Sequence, residues 1–108
     1  MPPTTGGKVK LGGKRRTLRF TFEALEKAAD VRDGEPLVHT MDAVGALSFP
    51  AIKVMVWAGL LHEEPALVLD DVAGMIEPPL KPVIDALIEA LEPWVEIIAE
   101  ADGEGKPD

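Results

Sequence analysis

The first strand-like segments of the chain alternate apolar and polar residues. In KVKL, Val9 and Leu11 alternate with lysines, and in TLRF, Leu18 and Phe20 alternate with polar residues. A period of two is typical of β-strands that have one apolar face and one polar face. The pattern therefore predicts an N-terminal β-hairpin over residues 8–20.

Two registers are open to this hairpin. A two-residue turn at Gly12-Gly13 would place Val9 opposite Arg16, which mixes apolar and charged side chains on one face. Pairing Val9 with Phe20 instead keeps the apolar residues together and leaves a four-residue loop, residues 13–16. We favour this second register, which places a cationic triplet at the hairpin tip. The triplet consists of Lys14, Arg15 and Arg16.

Helices separated by glycine and proline are predicted for the rest of the chain. Thr21 is a suitable N-cap for a first helix with Phe22 on its buried side, and a second helix is expected over residues 37–44. Ser48 is a suitable N-cap for a third helix, whose apolar residues cover most of its circumference and make it the central one. A short fourth helix is expected to start at an acid pair, Asp70-Asp71.

The last helix has the clearest pattern. Large apolar residues recur at spacings of three and four, acids take the outer positions, and Pro93 is expected to kink the helix near its middle. This apolar surface is either all core or partly open to a partner, and the pattern allows both. Its members are Leu80, Val83, Ile84, Leu87, Ile88, Leu91, Trp94, Val95 and Ile98.

These elements predict one α+β domain that is mostly α, with a hairpin followed by four to five packed helices. The expected boundaries are a flexible N-terminus at residues 1–7, a single domain at 8–101 and a disordered tail at 102–108. Within that domain the hairpin spans 8–20 and the helical part 21–101. The chain has no cysteine and no apolar run near the ~20 residues needed to span a bilayer. We therefore expect a soluble cytoplasmic protein.

Charge is distributed unevenly along the chain. The first 20 residues carry six cations and no acid, whereas the other 88 carry five cations and all 19 acids, a balance of −14 within a net charge of −8. Such asymmetry indicates either a nucleic-acid arm or a basic segment that contacts an acidic protein surface. The acidic body repels a polyanion and no aromatic residue interleaves with the cations, so nucleic-acid binding is disfavoured.

The residue types that serve in catalysis and in metal or cofactor binding form no pattern that predicts such a site. Ser48 is the only serine, and a helix cap explains it better than a nucleophile does. His39 and His62 are the only imidazoles, and their spacing to acids matches no zinc or EF-hand pattern. The glycines beside lysine fit no phosphate-binding motif.

Two segments carry a resemblance to a known family. KVKLGGKRRTLRFTFEALEKAADV resembles the opening of small gene-transfer-agent and siphophage tail proteins, with a strand, a Gly-Gly-Lys turn, a second strand and an acidic helix. VMVWAGLLHEEPALVLDDVAGMI resembles their middle segment. The likeness covers roughly residues 8–98, and these relatives look like phage tail assembly chaperones.

The resemblance implies a non-enzymatic phage or prophage protein made in the bacterial host cytoplasm. Such a protein coats the long, apolar tape-measure protein, assists assembly of the tail tube around it and tends to self-associate. The resemblance transfers no binding residues, so the partner surface is predicted from this chain's own pattern. The predicted partner-binding residues are Lys14, Arg15, Arg16, Arg19, Leu80, Ile84, Leu87, Leu91 and Trp94.

Overall fold

The computed structural model describes the backbone of residues 7–105 and the side chains of residues 7–95. A β-hairpin is followed by five helices, which confirms the predicted fold class. The elements are β1 Gly7–Leu11, β2 Lys14–Leu18, α1 Phe22–Val31, α2 Leu37–Gly45, α3 Phe49–Leu60, α4 Leu69–Ala73 and α5 Lys81–Gly105.

The structure describes only Gly7 of the predicted flexible N-terminus and residues 102–105 of the predicted disordered tail. Residues 1–6 and 106–108 lie outside the described residues, and Gly7 already belongs to β1. Helix α5 continues to Gly105, four residues into the segment predicted to be a disordered tail, and it contains Pro93 without a break.

The favoured hairpin register was wrong. Strand β1 pairs antiparallel with β2 so that Leu11 faces Lys14 and Val9 faces Arg16. The connection is a two-residue turn in which Gly12 and Gly13 have φ angles of 61° and 77°. Positive φ at both central residues is the requirement of a type I′ turn, whose twist matches that of the flanking strands. Glycine adopts this conformation without steric cost, so the turn chemistry set the register.

This register places the charged Arg16 beside Val9 on the inner face of the hairpin, where its side chain finds polar partners. Its side chain is only 10% exposed, its Nε–H donates to the carbonyl of Leu11 at 3.1 Å, and its guanidinium forms an ion pair with Glu64. The cation is therefore neutralised and hydrogen-bonded on the inner face of the hairpin. Phe20 lies beyond β2 and is also buried, because the Arg19 N–H donates to the Gly59 carbonyl at 2.9 Å and holds this segment against α3.

The hairpin packs directly on the first half of α5. A Cβ atom added to Gly7 would lie 1.9 Å from the carbonyl oxygen of Ala86, so the two backbones touch at this point. Val9, Leu11 and Leu18 fill the space between hairpin and helices, and all three are buried. The small residue at position 7 is therefore a packing requirement of the hairpin–α5 contact.

Helix α3 is the central helix, as predicted, and eight of its twelve residues are buried. At Gly59, an added Cβ would lie 3.2 Å from side-chain atoms of Leu18 and Phe20, so the absence of a side chain here allows these residues to pack closely on α3. The Trp57 indole N–H donates to the Leu67 carbonyl at 2.9 Å. Among residues 7–105 no single helix is long and apolar enough to cross a membrane. Helices α2 and α3 meet that test only together, across a bend of 119°.

Helix α1 is capped as predicted but buries a different side. The Thr21 hydroxyl accepts a hydrogen bond from the Ala24 N–H at 3.0 Å. Ala24 and Ala28, one turn apart, are the buried residues of the helix and face the core. Phe22 lies on the opposite side and is 66% exposed, so its predicted burial was wrong.

Candidate functional site

An apolar groove lies beside the start of α3. Its volume is about 420 Å³, and Lys53 is the only charged residue in its lining. We call this surface the apolar groove. Its lining residues are Phe49, Ile52, Lys53, Ala73, Ile76, Pro78 and Leu80.

Three elements build the groove. Phe49, Ile52 and Lys53 come from the first two turns of α3, and Ala73 is the last residue of α4. The link between α4 and α5 supplies the remaining residues, and the Pro78–Pro79 peptide within it is cis. The groove is therefore walled by two helices and a proline-containing segment, and no single stretch of sequence encodes it.

Large apolar side chains stand exposed at the helix start that borders the groove. Phe49 is 67% exposed and Leu47, two residues earlier, is 52% exposed. Leu47 has a φ of 66°, a left-handed conformation that is uncommon for a residue other than glycine. Exposed residues of this size beside an apolar depression are typical of protein-binding surfaces.

The lining suits an apolar protein segment better than a small polar ligand. Small-molecule sites combine apolar walls with a few polar groups that orient the ligand. Here, the Lys53 side chain is the one charged group, and the other lining side chains are aliphatic, aromatic or prolyl. Such a surface accepts apolar anchor residues from one face of an amphipathic helix.

The partner residues predicted on the last helix are divided between the core and the surface, and Leu80 lies in the link just before α5. Leu87 and Leu91 are 0% and 1% exposed and belong to the hydrophobic core of the domain, so their prediction as partner-binding residues requires correction. Leu80 is half-buried and lines the groove. Ile84 and Trp94 are half-buried as well, and the Trp94 indole N–H donates to the Phe20 carbonyl at 3.1 Å.

The predicted cationic triplet is also divided. Lys14 is exposed at the turn, and Arg15 is exposed on the outer face of the hairpin. Arg16 points inward to its ion pair with Glu64, so it is not available to a partner and requires correction. Arg19 is exposed but lies beyond β2, in a depression that it shares with Glu23 and other residues of α1.

The groove residues Phe49, Ile76 and Pro78 were not predicted as a site. Sequence periodicity identifies the buried side of each helix, but not which helix ends come together in space. Leu47 and Phe49 flank Ser48 at the helix start, but apolar residues beside an N-cap are common in helices and do not by themselves indicate a groove.

The side chains that could act as a nucleophile or a metal ligand have positions typical of structural residues. Ser48 is the residue before α3, but its side chain makes no capping hydrogen bond. The Nε2 atom of His62 lies 2.8 Å from the Thr17 carbonyl oxygen, which ties the end of the α3 region to β2. Within residues 7–95, no group of three or more histidine, aspartate or glutamate side chains is placed to hold a metal ion.

Searches of protein-family models, curated proteins and solved structures found no match to this chain.

Proposed function

We propose that this chain is a non-enzymatic phage or prophage tail assembly chaperone that binds the tape-measure protein and assists assembly of the tail tube. It acts in the cytoplasm of the bacterial host, without a cofactor and away from membranes. The proposal starts from the resemblance of residues 8–98 to such proteins. The single observation that supports it best is the open apolar groove beside the exposed Phe49.

The groove supports the proposal because of what a tape-measure protein requires. A long helical protein carries apolar stripes that aggregate unless another surface covers them. An apolar groove accepts such a stripe through side chains spaced three and four residues apart. Phe49, Ile76 and Leu80 then contact the client helix, and Lys53 lies beside its polar edge.

The acidic exterior supports the same role. The chain carries a net charge of −8, and nine of the 14 acids within residues 7–95 lie on exposed helix positions, for example Glu26, Asp42 and Glu89. Like-charged complexes repel one another and stay in solution. A chaperone of this composition keeps an apolar client soluble after it has covered the client's stripe.

Co-expression tests the proposal directly. A tape-measure segment encoded in the same genome is expressed with and without this chain, and the soluble fraction of the segment is measured. We expect several-fold more soluble segment with the chain present, and co-purification of the two. An unchanged soluble fraction, with no co-purification, would contradict the proposal.

A structural component of the tail is the alternative within the same class of phage protein. Purified particles distinguish the two roles, because a tube or minor tail protein remains in the particle and an assembly chaperone does not. We expect this chain to be absent from mature particles by mass spectrometry, while the tail tube protein is detected in the same sample.

A further inference from the structure

The outer face of the hairpin concentrates positive charge. Lys10 and Arg15 are direct cross-strand partners, and Lys8 is the next outward residue along β1. All three side chains are exposed. We call Lys8, Lys10 and Arg15 the cationic face. Like charges directly opposite each other destabilise a strand pair, so this face is unfavourable for the isolated hairpin and becomes favourable beside an anionic surface.

The cationic face has no ion-pair partner among the described side chains. Ion pairs within residues 7–95 engage Arg16, Lys27, Arg32 and Lys81, and none of them involves the cationic face. The neighbouring residues Val9 and Pro82, which share a shallow depression with it, are apolar. The three cations are therefore presented to the outside of the molecule.

A surface of the opposite charge lies on α5. Asp85, Glu89 and Glu92 are exposed and fall on one side of the helix, around Ile88, which is 51% exposed. We call these four residues the acidic stripe. Asp85 is paired with Lys81 at 3.0 Å, so Glu89 and Glu92 carry the uncompensated charge. The exposed isoleucine adds apolar area that the aliphatic stems of lysine and arginine can cover.

The two surfaces lie on different elements and form no ion pair with each other among the described side chains. The cationic face is on the outer side of the hairpin, whose inner side carries the buried Val9 and Leu11. On α5, Val83, Leu87 and Ala90 are buried, and the acidic stripe is on the exposed side of the helix. Two different, complementary surfaces on one molecule fit a head-to-tail contact between copies.

We propose that the cationic face of one copy binds the acidic stripe of a second copy. The contact is heterologous, because each copy uses a different surface, so repetition of it gives a ring or an open filament rather than a closed dimer. No residue of the apolar groove takes part. Assembly can be measured without a client, so this contact and the proposed chaperone function can fail separately, and each copy in the assembly keeps its groove free for a client.

Charge complementarity favours a second copy over a nucleic acid. Residues 21–108 carry a balance of −14, which repels a polyanion beyond the three cations themselves. The cationic face also offers no aromatic side chain on which a base could stack. The acidic stripe supplies both the negative charge and the apolar contact that the face requires.

The test measures mass by light scattering at low salt, about 50 mM, and at about 1 M, where charge interactions are screened over ~3 Å. We expect the low-salt mass to be several times the 11.6 kDa of a monomer and to fall toward it at high salt. Two variants, Lys10→Glu/Arg15→Glu and Glu89→Lys/Glu92→Lys, should each be monomeric at low salt. An equimolar mixture of the two should recover the assembly, because each reversed surface then meets a complementary one.

Matched controls separate a local contact from a general charge effect. Arg15→Glu should lower the low-salt mass, whereas Lys27→Glu, an exposed reversal on α1, should not. For the acidic stripe, the matched control is Glu23→Lys/Glu26→Lys on α1, which should leave the low-salt mass unchanged. Circular dichroism of every variant checks that the fold is retained.

Three results would overturn the proposal. The first is a wild-type chain that remains monomeric at low salt and high concentration, and the second is reversal variants that assemble as the wild type does. The third is a monomeric wild-type chain that binds a labelled DNA duplex and loses this binding in Lys10→Glu/Arg15→Glu, which would assign the face to nucleic acid.

Discussion

Arg16 and Glu64 form an ion pair that joins two positions 48 residues apart in the chain. The pair connects β2 to the segment between α3 and α4, and Arg16 also donates to the Leu11 carbonyl. The guanidinium is mostly buried, while the Glu64 side chain is 40% exposed. A cation that looks like part of a surface patch in the sequence is therefore a connection between the hairpin and the helical part of the fold.

Replacing Arg16 tests this connection. Arg16→Met removes the ion pair and the bond to Leu11 but keeps the aliphatic stem, and we expect a loss of about 1–3 kcal/mol in the free energy of unfolding. Arg15→Met removes an exposed charge one residue away and should change stability by less than about 0.5 kcal/mol. Urea unfolding followed by circular dichroism measures both. Equal effects of the two substitutions would show that the ion pair adds nothing.

The contact between Gly7 and α5 gives a second prediction. In Gly7→Ala the new methyl group would meet the Ala86 backbone, and we expect overpacking to destabilise the fold by about 1–3 kcal/mol. Gly45→Ala is the control, because nothing lies within 4 Å of the added Cβ at the end of α2. There we expect a gain of up to about 1 kcal/mol from the better helix former. Thermal unfolding distinguishes the two, and a harmless Gly7→Ala would contradict the close contact.

The two predicted helix caps should respond differently to alanine. Thr21→Ala removes a hydroxyl that accepts the Ala24 N–H and should cost about 0.5–2 kcal/mol of stability. Ser48→Ala removes a hydroxyl that makes no capping hydrogen bond, so we expect a change below about 0.5 kcal/mol. Chemical denaturation of both variants under identical conditions provides the comparison. A larger loss of stability in Ser48→Ala than in Thr21→Ala would contradict the assignment of Thr21 as the stabilising helix cap.

Two phenylalanines of nearly equal exposure test the apolar groove. Phe49→Asp places a carboxylate in the groove, and Phe22→Asp places one on the outer side of α1; the two side chains are 67% and 66% exposed. We expect both variants to fold, because neither residue is in the core. Only Phe49→Asp should lose at least tenfold in affinity for a tape-measure segment in a pull-down or titration. Equal binding by the two variants would place the client elsewhere on the molecule.

The sequence was sufficient to predict the hairpin, the cap at Thr21 and the central position of α3. Each of these depends on local pattern, namely strand alternation, one capping residue and a helix that is apolar on nearly all sides. The register of the hairpin was not predictable by matching apolar residues, because Arg16 could occupy the inner face only with Glu64 beside it. That acid lies far along the chain, and no local pattern shows that it will be there.

The predicted partner surface failed for a related reason. Periodicity shows that Leu87 and Leu91 belong to an apolar stripe, but it does not show that both side chains are enclosed in the core of the folded domain. Leu87→Glu is therefore expected to disrupt the fold rather than weaken binding selectively. The groove could not be predicted because Phe49, Ile76 and Leu80 come from separate elements that meet only in the folded domain.

The packing of the hairpin on α5 has a consequence for how the protein is made. The hairpin is synthesised before α5, the helix that packs on its apolar face. A two-stranded hairpin is at best marginally stable by itself, so Val9 and Leu11 lack this cover until α5 has been made. The N–H of Trp94 reaches the carbonyl of Phe20 only after the first half of α5 has emerged from the ribosome. The hairpin therefore gains its stable packing only once α5 is present, and a ribosome-stalled chain that ends before residue 81 should remain sensitive to protease.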